Sequence, residues 1–88
     1  MGRDAAVREL IGAALEVQHA LRRNPRARLV LPRWAHAALS SQEFAALLYD
    51  VLRSEFLDLE ARLTVTVASC EHFRVETQAA KGQSDGSP

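Results

Sequence analysis

Two stretches of the chain space their apolar residues by threes and fours, and two others alternate apolar with polar, so two amphipathic helices and at least two strands are predicted. In the first stretch Val7, Leu10, Ala14, Val17 and Leu21 follow helical spacing, and Ile11 and Leu15 widen the stripe. Asp4 is positioned to cap this helix, Arg22 and Arg23 complement the dipole in its last turn, and Asn24-Pro25 ends it, because the residue before a proline avoids helical geometry. Gly12 costs the helix ~1 kcal/mol relative to alanine unless another backbone approaches there.

The second helical stretch is the better specified. With Ser40 as N-cap, its hydroxyl accepts from the Glu43 amide while the Glu43 carboxylate accepts from the Ser40 amide, and Leu39 and Phe44 stand at the positions of a hydrophobic staple. Phe44, Leu47, Leu48, Val51 and Leu52, then Phe56 or Leu59, form the face to be buried.

Between the helices, Arg26, Arg28 and Val30 alternate with Ala27, Leu29 and Leu31, and Pro25 and Pro32 bound a short strand. Pro32 opens a brief helical turn that carries Trp34, Ala35, Ala38 and Leu39 on one side. Leu63-Thr64-Val65-Thr66-Val67-Ala68 is a half-buried strand with its threonines outward, and Phe73 and Val75 resume the alternation after Ser69-Cys70-Glu71. Burial favours a hairpin in which Val67 opposes Phe73 and Val65 opposes Val75.

This order predicts a single α+β domain over residues 1–78 and a polar tail over 79–88. Its three-stranded mixed sheet holds one right-handed βαβ crossover plus the C-terminal hairpin, and two amphipathic helices cover one face. Thr64, Thr66, His72 and Arg74 are expected on the other face, open or covered by a partner.

Composition narrows the function more than it names one. An 88-residue chain with 48% apolar and 25% charged residues is foldable but small enough that dimerisation would help it, and edge pairing of the sheet is one route. The net charge is zero, yet the seven arginines before Trp34 face only Asp4, Glu9 and Glu16, whereas Arg53 stands alone among Glu43, Asp50, Glu55, Asp58 and Glu60. The two halves either neutralise each other within the fold or present a two-signed surface to a partner. One cysteine, no apolar run of signal-peptide length and no membrane span lead to a cytoplasmic expectation without a membrane role.

Chemistry is sparse. Cys70-Glu71-His72 sets a thiol, a carboxylate and an imidazole close together, but a nucleophile and its base usually come from separate elements, and a metal would need further ligands that His19 and His36 are not spaced to give. With no phosphate loop and no nucleophile elbow, an enzyme, a cofactor and a metal are not expected. Arg22, Arg23, Arg26, Arg28 and Arg33 beside Trp34 form the one dense basic segment, suited either to a protein partner or, as the alternative, to nucleic acid with Trp34 stacking a base. A helix-turn-helix is disfavoured because the helix after Ser40 is acidic. The leading expectation is a non-enzymatic protein-binding module, homodimeric, that uses these arginines, Trp34 and the Thr64, Thr66, His72, Arg74 face; nucleic acid is second, and an enzyme or metal site at Cys70 and His72 third.

Overall fold

A computed structural model describes residues 2–78. The chain runs as α1 (Arg3–Arg23), β1 (Arg26–Pro32), α2 (Arg33–Ala38), α3 (residues 41–53), α4 (Leu59–Arg62), β2 (Leu63–Ala68) and β3 (Arg74–Gln78). The expected tail over 79–88 lies outside the described residues.

The α+β class, the mixed sheet and the parallel β1–α–β2 crossover all hold, but the hairpin does not. The strand order is β2-β1-β3, so β3 passes β2 by and pairs antiparallel with the far edge of β1. Leu29 consequently has Val65 on one side and Val75 on the other. Two physical causes favour this order. The connection over residues 69–73 lacks the glycine that a tight two-residue turn requires, and five residues easily span the ~10 Å across one intervening strand. The central place also goes to the most apolar strand: Ala27, Leu29, Val30, Leu31 and Pro32 are all buried in β1.

All helices pack on the face formed by Ala27, Leu29 and Leu31. Leu10, Val17 and Leu21 of α1 meet Leu29, Leu48, Leu52 and Leu59 in the main core, and Ala6, Leu31 and Ala35 form a second cluster against which Trp34 and Phe73 pack. A fully buried leucine contributes ~2 kcal/mol, so these leucines hold the two layers together. Ile11 and Leu15 do not widen the buried stripe: they are 48% and 56% exposed, and Ala6 and Ala13 take their place, letting α1 lie close to the sheet.

The helix ends correct two details. Helix α1 begins at Arg3 with Gly2 as N-cap, two residues earlier than an Asp4 cap would allow, and Asp4 sits inside the first turn. Pro32 is the last residue of β1 and the N-cap of α2 rather than its first residue. At Ser40 the expected capping box is present: the Glu43 amide donates to the Ser40 hydroxyl and the Ser40 amide to the Glu43 carboxylate, each at 3.1 Å. Leu39 and Phe44 both pack half-buried on the same clusters.

Helix α3 carries a wide π turn over Ala45–Tyr49. Leu48 inside this turn and Leu52 after it are buried, while Val51, part of the predicted stripe, is 51% exposed.

Candidate functional site

The residues expected to form one binding surface are distributed over several. Arg22 leaves the helix dipole and grips Glu55 of the α3–α4 loop with two bonds, Nε to Oε2 at 2.6 Å and Nη2 to Oε1 at 2.9 Å. Gln18 donates to the same carboxylate at 2.9 Å, and these donors, Arg22 foremost, hold the Glu55 pKa below its ordinary range. Arg3 likewise pairs with Glu43 across the helix layer. Arg23 is exposed at the end of α1, Arg33 at the start of α2, and Arg26 and Arg28 on the sheet. The basic segment is therefore not one patch. Trp34 is half-buried, packs on the second cluster and donates its indole N–H to the Glu71 carbonyl at 2.9 Å.

On the helix-free sheet face the pairing aligns Thr64, Arg28 and Glu76 in one row and Thr66, Val30 and Arg74 in the next. Glu76 lies 3.8 Å from Arg28 and 3.5 Å from Arg74, so opposite charges share this face. His72 is not part of it. The loop before β3 sets its Nδ1 3.6 Å from Glu9 of α1, on the helix side. The Cys70 thiol turns to the Ala68 carbonyl 3.7 Å away, and among the described residues no three His, Cys, Asp or Glu side chains converge to hold a metal ion.

A concavity lies where the hydrophobic pattern did not point. Helices α2 and α3 stop short of the outer edge of β2, leaving a groove of about 390 Å³ walled by Leu39, Phe44 and Tyr49 and floored by Leu31, Val65 and Val67. His36, Ser40, Ser41 and Ala45 complete the lining, so among the described residues no Asp, Glu, Lys or Arg faces it. Phe44 and Tyr49 meet edge to face with ring centres 5.8 Å apart, and the Arg53 guanidinium lies 5.4 Å from the Tyr49 ring centre, which fixes the wall. Burial pushes the Tyr49 hydroxyl pKa up. The π turn supplies Ala45 and Tyr49 to this wall, a placement typical of such turns at working surfaces.

Beside the groove, β2 is paired among the described residues with β1 alone, and it carries no charged residue from Leu63 to Ala68. Val67 faces the helix layer yet remains 39% exposed. The sequence signal for this site was present in the charge-free run Leu-Thr-Val-Thr-Val-Ala, but the hairpin reading gave that edge to β3.

The fold and this edge define the class: a small α+β domain with an unguarded outer strand beside an apolar groove. No family model matches the chain, and no curated protein or solved structure matches it. Among the described residues no helix is long and apolar enough to cross a membrane.

Proposed function

We propose that this chain is a non-enzymatic protein-binding module that takes up an extended polypeptide strand along β2, with the strand's alternate side chains entering the adjoining groove. The observation that carries this reading is the coincidence of an uncharged, unpaired strand edge with a charge-free apolar groove on the same flank. Main-chain hydrogen bonds to the edge supply affinity, and the pocket beside alternate residues supplies selectivity. A single thiol, Cys70, fits a cytoplasmic setting.

The test is capture by the tagged full chain, compared with Val67→Lys, with and without nuclease. Val67 is exposed enough for lysine to leave the fold intact. A protein retained after nuclease and lost in Val67→Lys is the expected result. Recovery that disappears with nuclease, or that ignores Val67→Lys, overturns the reading; nuclease sensitivity turns attention to Arg26, Arg28 and Arg74 on the open sheet face.

A further inference from the structure

We infer that the strand received at the β2 edge is β2 of a second copy, joining two three-stranded sheets about a two-fold axis into one of six strands. This rests on the groove reading above and names its occupant.

Charge is the first reason. In a two-fold contact the residue on the axis meets its own copy and the others meet residues of the same short strand, so a strand bearing one sign of charge would set like against like. In a chain that is 25% charged, neither Leu63–Ala68 nor the groove lining contributes a single Asp, Glu, Lys or Arg. A foreign partner selected by charge would find nothing there to read, whereas a second copy needs nothing of the kind.

Register is the second. Residues directly opposite in antiparallel strands share a face, and an axis through Val65 sets Val65 against its own copy, Thr64 against Thr66 of the second copy, and Leu63 against Val67 of the second copy. The helix-side row is then wholly apolar and covers the exposed Val67, while threonines meet on the open face. Moving the axis to Thr64 draws Arg62, which donates to the Leu21, Asn24 and Pro25 carbonyls, into the ladder. Moving it to Thr66 takes Leu63 out of the pairing. The other edge, β3, carries Arg74 and Glu76, which pair with each other there and tolerate water.

The test is sedimentation velocity on the full chain, with Val65→Cys in a Cys70→Ser background treated with a short bismaleimide and Thr77→Cys in the same background as the β3-edge control. A dimer, weakened on the order of tenfold or more by Val67→Lys with an unchanged circular dichroism spectrum, and cross-linked through position 65 but not 77, is expected. A monomer at every concentration, a dimer indifferent to Val67→Lys, or cross-linking through position 77 alone overturns the inference. If the monomer still captures a protein in a Val67→Lys-sensitive way, only the choice of occupant fails; if capture is also insensitive, the groove reading fails with it.

Discussion

Arg62 closes the C-terminal end of α1 by donating to the carbonyl of Leu21, 41 positions earlier in the chain. The same guanidinium donates to the Asn24 and Pro25 carbonyls at 2.9 Å each and lies 5.2 Å from the Phe56 ring centre. A helix end leaves its last carbonyls without partners, and here one planar fork satisfies them from another element. Arg62→Ala is expected to cost about 2 kcal/mol in chemical denaturation. Arg62→Lys should recover only part of this, because a compact ammonium cannot reach three carbonyls in fork geometry. Equal stability of the two variants would contradict the assignment.

Acid should weaken the fold through three arginine-held carboxylates: Glu60, held low first by Arg53, and the two that tie α1 to α3 and the loop after it. Glu43 is held below the ordinary value of 4.5, first by Arg3 and then by the Ser40 amide, and Glu55 first by Arg22 and then by Gln18. A carboxyl with a depressed folded-state pKa binds protons more readily unfolded, so its stabilisation is complete above pH 4.5 and is lost as pH falls through the folded value. Melting temperature should therefore drop below pH 4.5 in the wild type, and the drop should be shallower in Glu43→Gln and Glu55→Gln, which start from lower stability at neutral pH.

Gly12 should be replaceable with profit. A Cβ built there meets nothing within 4 Å, so the close backbone approach that could have justified a glycine in mid-helix is absent. Gly12→Ala is expected to stabilise by ~0.5–1 kcal/mol, a rise of several degrees in melting temperature for a domain of this size. A fall would mean that α1 needs to bend at this turn.

Val51 and Leu52 are neighbours in α3 with unequal burial. Leu52→Ala removes a fully buried side chain and should cost about 2–5 kcal/mol, whereas Val51→Ser, on the exposed side, should stay within about 0.5 kcal/mol apart from its helix propensity. Comparable losses at the two positions would contradict the burial of Leu52 alone.

What the sequence disclosed, and what it hid, divides by the range of the interactions. Ser40 and Glu43 were legible as a cap because both partners lie within one turn, and Val65 and Val75 were correctly read as inward because alternation is local. Their neighbour was not legible: Leu29 separates them, and no short-range rule distinguishes a strand that folds back on its predecessor from one that passes it. The arginine cluster was dense in sequence yet dispersed in space, since a helix end, a strand and a second helix each turn their share in a different direction. Arg62 gave no signal because its acceptors are carbonyls, which every residue carries.

The strand order also shapes how this chain reaches its folded state. With β1 in the middle and no hairpin, every rung of the sheet joins distant residues: Ala27 waits for Leu63, and Arg26 for Gln78. No piece of sheet can therefore nucleate by local zipping. The closing strands are expected to pair only after the helices have confined most of the chain, and refolding is expected to be slower than that of small helical bundles, which stopped-flow measurement would check.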